Sequence, residues 1–231
     1  MNTITVFELF GTAHVSALVI IISLCLLISR VRLSPDTTGL ARAISIGLLT
    51  LVVLKPILYI GVYDRPWGQS LPLDLCRINE FICVFMLLRR SYRTFEITYF
   101  LAIGSVSALL MPDMPVGFPD PRFLLFFISH GLSVLAVLYA IFGYGFRPTL
   151  RSVGMILIFL VLYTLIIAGL NLALDANYLF LREKPAGASI LDYLGPWPIY
   201  VIALIGIAVV LCFICYLPFA FPRKRAGDEG G

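Results

Sequence analysis

"LPLDLCRINEFICVFMLLRR", residues 71–90, decides how this chain folds. It places Asp74, Cys76, Arg77, Asn79 and Glu80 within a few residues of one another at the head of an apolar run. In water such a head is unremarkable. In hydrocarbon a charged or strongly polar group costs about 2.5–3.5 kcal/mol on insertion scales, so it marks a bundle interior or a wet cavity.

Composition settles which solvent applies. Of the 231 residues, 60% are apolar and only 13% charged, about half the charged share of an ordinary soluble domain. The mean hydropathy is +0.99. An aqueous surface cannot be assembled from this material, so the chain reads as an all-α, polytopic integral membrane protein. The net charge of +4 sits in short loops and signals topology rather than an acidic partner, and nucleic acid is not implied.

Seven stretches suit a hydrocarbon core about 30 Å thick: 9–29, 43–62, 73–89, 95–111, 123–144, 153–174 and 198–221. Together they form one integral membrane domain over 1–231, with a tail at 222–231 and no separate soluble domain. The first stretch lacks a preceding basic residue and a small-residue cleavage site, so it reads as a retained span rather than a secretory signal.

Basic residues orient the bundle. Arg30, Arg32, Arg42, Arg89, Arg90, Arg93, Arg147, Arg151, Arg223, Lys224 and Arg225 follow odd-numbered spans, whereas the other side has Arg65, Arg122, Arg182 and Lys184. The positive-inside rule therefore puts the N-terminus outside and the C-terminus in the cytoplasm, with the protein in the cell membrane. Trp67 and Trp197 fall on the outer side as interfacial anchors.

At 1.5 Å per residue this topology turns sequence into depth. Cys76 and Asn171 lie about 5 Å below the outer edge, His14 and Lys55 about 8–10 Å, and His130 and Glu80 about 10–12 Å. The inner half has no comparable set. By helix phase Cys76, Asn79, Glu80 and Cys83 form one stripe flanked by Arg77, while His130 with Ser133, and Thr164 with Asn171 and Asp175, give two more polar faces. These faces are expected to line an outward-opening pocket to which Lys55, Arg77, Asn79, Glu80 and Ser133 contribute substrate contacts. His14 lies near enough to the surface to be interfacial.

Chemistry narrows the reading. A thiol and an imidazole at similar depth suggest a dyad in which His130 takes the Cys76 proton and the sulfur attacks an ester carbonyl. Arg77 or Lys55 would favour the thiolate. Asn171 would orient the imidazole or hold the oxyanion. Plainer readings stand beside these. Cys76 is also an ordinary small core residue, His130 can bond a neighbouring helix, and Lys55, Glu80 and Arg77 can form an internal ion network joining spans two and three.

Other patterns carry less. "CFIC" at 212–215 lies inside the seventh span and reads as packing. Two histidines and scattered cysteines give no zinc spacing, a phosphate loop is absent, and no cofactor is expected. "MPDMPVGFPDPRF" at 111–123 is a stiff outer collar. Seven spans do not split into two equal repeats as many transporters do.

A series of motifs carries a resemblance: "LPLDLC" (71–76), "FFISHG" (126–131), "RPT" (147–149), "GLNLALDANYLFL" (169–181), "KPAGASILDYLGPWP" (184–198) and "YLPF" (216–219). Over about residues 45–220 the chain resembles the YwaF-like bacterial integral membrane proteins, a family related to the eukaryotic transmembrane protein 164 acyltransferase. The resemblance implies a bundle of about seven helices. It further implies transfer of a fatty acyl chain between phospholipid and lysophospholipid, with Cys76 and His130 at the positions of the Cys and His of that activity. Asp74 departs from the pattern, since bacterial relatives often carry His there.

The expected function is therefore a membrane-embedded lipid acyltransferase, or a hydrolase if water is the acceptor. A transporter or small-ligand binding protein using the same polar pocket is the alternative, and a seven-span receptor a third. Retinal chemistry is disfavoured because Lys55, the only lysine within a span, is in the second helix.

Overall fold

Alternation of apolar runs with short polar connections gives seven α-helices among the described residues. The computed structural model describes residues 5–30, 38–185 and 190–220. Its helices are α1 (Thr12–Arg30), α2 (Thr38–Gly61), α3 (Leu75–Arg89), α4 (Tyr92–Leu110), α5 (Pro121–Gly143), α6 (Leu150–Leu174) and α7 (Ile199–Ala220). Each coincides with an expected span to within a few residues. Arg32, residues 186–189 of one motif, the expected end of the seventh span at 221 and the basic tail with Arg223, Lys224 and Arg225 lie outside the described residues.

Five helices, α1, α2, α5, α6 and α7, are long and apolar enough to cross a membrane unaided. The chain is a polytopic, all-α membrane protein. Among the described residues strand pairing is limited to a single bridge between Val6 and Val116.

The polar loops segregate by end. Thr5 Oγ1 donates to the Phe118 carbonyl at 2.7 Å and Tyr178 Oη to that of Gly68 at 2.8 Å, so the N-terminal segment and the loops after α2, α4 and α6 gather together. At the opposite end Tyr92 Oη donates to the Arg147 carbonyl and Tyr144 Oη to that of Leu87, both at 2.8 Å. Between them Leu48, Met86, Phe95 and Ala136 form a core with no solvent exposure.

Helix starts are written locally. Thr149 caps α6 by accepting from the Ser152 N–H at 3.3 Å, and Ser152 Oγ accepts from the Thr149 N–H at 3.0 Å. Ser152 Oγ also donates to Glu96 Oε1 at 2.7 Å and so ties α6 to α4. Glu96 is buried at the basic end. The inner half, where no set of polar groups comparable to the outer one is expected, thus buries this one carboxylate.

Helix α3 has 15 residues, about 22 Å at the usual rise and short of a hydrocarbon core. The irregular stretch 66–74 precedes it. Non-helical backbone near lipid is tolerated only where protein groups satisfy it, and here they do. Arg77 Nη1 donates to the carbonyls of Ser70 (3.0 Å) and Leu71 (3.3 Å), and Tyr163 Oη to that of Leu73 (2.8 Å). Gly68 packs closely here, since a Cβ would stand 3.0 Å from the Leu174 carbonyl oxygen. The loop therefore seats Cys76 at a fixed depth.

Candidate functional site

Cys76 is the second residue of α3 and is partly buried. Asp74, the preceding cap residue, makes no side-chain capping bond. Its carboxylate stands 3.5 Å from Arg77 Nε instead. The first-turn N–H groups that a helix leaves unpaired are thus not taken by the cap side chain. On the other side Cys76 lines an apolar cavity of about 170 Å³ between α3, α4, α6 and α7. A Cβ on Gly104 would lie 3.9 Å from the sulfur, so the absence of a side chain keeps the thiol's flank open.

Behind Cys76 the bundle is polar and closed. Lys55 Nζ donates to both oxygens of Glu80, at 2.7 and 2.9 Å, and the two side chains are 6% and 1% exposed. This is the ion pair joining spans two and three that the depth reading expected. Arg77 is not part of it: its guanidinium serves the 66–74 loop and lies over the Tyr59 ring at 5.2 Å.

His130 is on α5, nearly buried, with its ring 4.2 Å from that of Phe126. Nδ1 is 2.8 Å from the Phe126 carbonyl. A carbonyl only accepts, so Nδ1 carries the proton, and in the neutral ring the lone pair sits on Nε2. Among the described residues no hydrogen bond occupies Nε2 and none joins Cys76 to His130. The two do share surroundings, for Lys55 and Arg77 lie within electrostatic range of both.

Three expectations require correction. Asn171 does not reach His130: its Nδ2 donates to the Tyr178 carbonyl at 2.9 Å and its Oδ1 accepts the Tyr178 N–H at 2.8 Å, which uses the amide on the loop after α6. Ser133 Oγ donates to the Ser129 carbonyl at 3.0 Å and is buried on its own helix. The outward-opening polar pocket is instead a closed polar core, because Lys55, Asn79, Glu80 and Ser133 are all buried and the first and third neutralise each other. Asn79 remains distinctive. Its Nδ2, like Ser105 Oγ, is buried without a partner among the described residues.

His14 is not interfacial either. It is buried, accepts the Phe10 N–H at Nδ1 (3.0 Å) and donates from Nε2 to the Leu109 carbonyl (2.9 Å). Both nitrogens are used to clamp the N-terminal segment onto the end of α4. Nothing in the spacing signals this, since the partners are backbone groups. Among the described residues no three His, Cys, Asp or Glu side chains gather to hold a metal.

The arrangement thus offers a thiol between an apolar cavity and a sealed charged core, with an imidazole on a neighbouring helix. No solved structure matches the chain. An uncharacterized protein of Treponema pallidum (strain Nichols) is 26% identical over 183 residues, covering 78% of this chain and 75% of the relative. The profile of the TMEM164 family matches residues 9–216, and the chain belongs to that family.

Proposed function

We propose that this protein is a lipid acyltransferase of the cell membrane, from the YwaF-like bacterial branch, with Cys76 as nucleophile and His130 as general base. The observation that carries this reading is the position of Cys76, a thiol at a helix start facing an apolar cavity. An apolar lining of that kind suits a hydrocarbon chain. The imidazole supports it: with Nδ1 held by Phe126, Nε2 is free to take a proton.

In the first step the Cys76 proton passes to His130 Nε2 and the sulfur attacks the ester carbonyl of a phospholipid. The acyl C–O bond breaks, a thioester forms, and the leaving lysophospholipid oxygen takes the proton from His130. A second lysophospholipid hydroxyl then gives its proton to His130 and attacks the thioester, releasing the thiol. The first-turn N–H groups of α3, which the Asp74 side chain leaves uncapped, are available to the developing oxyanion. Catalytic hydrogen bonds commonly close only with substrate bound, so the absence of a bond between Cys76 and His130 in the free chain is compatible with this route.

The test is mass spectrometry of the full-length protein after incubation with phospholipid. Wild type is expected to carry a hydroxylamine-labile acyl group on Cys76, absent in Cys76→Ala and formed about 10²–10⁴ times more slowly in His130→Gln. Wild-type protein that stays unacylated, or a His130→Gln variant acylated at the wild-type rate, overturns the assignment.

A further inference from the structure

The cavity beside Cys76 is lined mainly by apolar side chains and extends along α4. Cys76 and Ser107 lie towards the α3 start and the α4 end, whereas Phe100, Ile156 and Cys212 form its opposite wall, close to the basic end of the bundle. From Ser107 to Phe100 the helix rises about 10 Å. Phe100, Ile156 and Cys212 are themselves among the most buried side chains, so they act as a floor. Small residues, Gly104 on α4 and Ala208 on α7, create the width.

From this apolar lining beside the thiol we infer that the cavity binds one hydrocarbon chain of a membrane lipid, head at Cys76 and tail at the floor, and thereby sets which chain length the sulfur accepts. A polar solute would meet little in this lining beyond one hydroxyl and two thiols. An engineered apolar cavity of about 150 Å³ holds a benzene, so a volume of about 170 Å³ accommodates about six carbons. Two of the helices that wall it, α6 and α7, are long and apolar enough to cross a membrane, so lipid hydrocarbon is at hand. That the bound chain becomes the transferred one rests on the acyltransferase reading; that a hydrocarbon binds beside the thiol does not.

Alkyl methanethiosulfonates separate the two. The Cys76 thiolate attacks the alkyl-bearing sulfur, an S–S bond forms, and methanesulfinate leaves with the electron pair, whether or not the protein is an enzyme. The full chain in detergent is treated with the methyl and hexyl reagents, and the Cys76 peptide is quantified against that of Cys25 on α1, which corrects for partition into the micelle. Each buried methylene adds about fourfold to affinity, so wild type should favour hexyl over methyl at Cys76 by about tenfold or more. Ala208→Phe and, independently, Leu160→Trp fill the cavity and should abolish that preference while the methyl reagent still labels Cys76, which shows that the fold persists. Absence of a hexyl preference in wild type, or its survival in both filled variants, overturns the inference. A lost preference in the filled variants without any acyl thioester in wild type would leave the cavity assignment standing and remove the enzymatic one.

Discussion

Lys55 and Glu80 meet through two hydrogen bonds in the middle of the bundle and hold α2 to α3. Both are almost wholly buried, so each charge depends on the other. Removing one member of a buried pair costs about 3–5 kcal/mol, whereas replacing both with apolar residues of similar volume is often neutral. Glu80→Gln should therefore lower thermal stability in detergent sharply, and Lys55→Met combined with Glu80→Met should recover most of the loss. A double variant as damaged as the single one would give the pair a role beyond joining two helices.

Asn171 bonds both the backbone N–H and the carbonyl of Tyr178, and this assigns it to folding. Asn171→Ala removes two buried hydrogen bonds and leaves the Tyr178 backbone unpaired, a loss of about 2–3 kcal/mol. The expected result is a lower melting temperature with unchanged acylation of Cys76 per folded molecule. A variant with normal melting and lost acylation would restore Asn171 to the reaction centre.

The span boundaries were legible because hydrocarbon imposes length and apolarity on every segment, and loops between spans must be short and polar. Cys76 and His130 were legible as candidates because ionisable and nucleophilic groups in spans are costly and therefore few. Lys55 and Glu80 disclosed their pairing through shared depth and opposite charge. Asn171 and His14 did not disclose theirs, since their partners are the backbone of Tyr178, Phe10 and Leu109, and a backbone partner leaves no side-chain signature. Depth also fails to fix azimuth: Asn79 and Cys76 share one stripe, yet Asn79 is sealed inside while Cys76 lines a cavity wall. The third span, expected from 73, starts at Leu75, because Leu73 is apolar enough to pass as helix although its carbonyl is held by Tyr163.

At the start of α5, outside the span, Asp120 and Arg122 give a pH-dependent cap. Asp120 Oδ1 accepts the Arg122 backbone N–H at 2.8 Å and Nε at 3.0 Å, while Oδ2 accepts from Nη2 at 2.8 Å. The guanidinium also lies over the Tyr63 ring at 4.5 Å, which ties the α5 start to the end of α2. The hydrogen bond from the Arg122 side chain holds the Asp120 carboxyl below the usual carboxylate range. A carboxyl whose folded value lies below its unfolded one, about 3.9, stabilises the fold above that value and loses the contribution as pH falls through the folded one. Melting temperature measured from pH 6 downward should thus fall more steeply below about pH 4 in wild type than in Asp120→Asn, which keeps a capping oxygen without the charge. Asp120→Ala, which also removes the cap, should be less stable than wild type at neutral pH by about 1 kcal/mol. Identical slopes for wild type and Asp120→Asn in that acid range would show that the ion pair contributes nothing to holding the collar against α5.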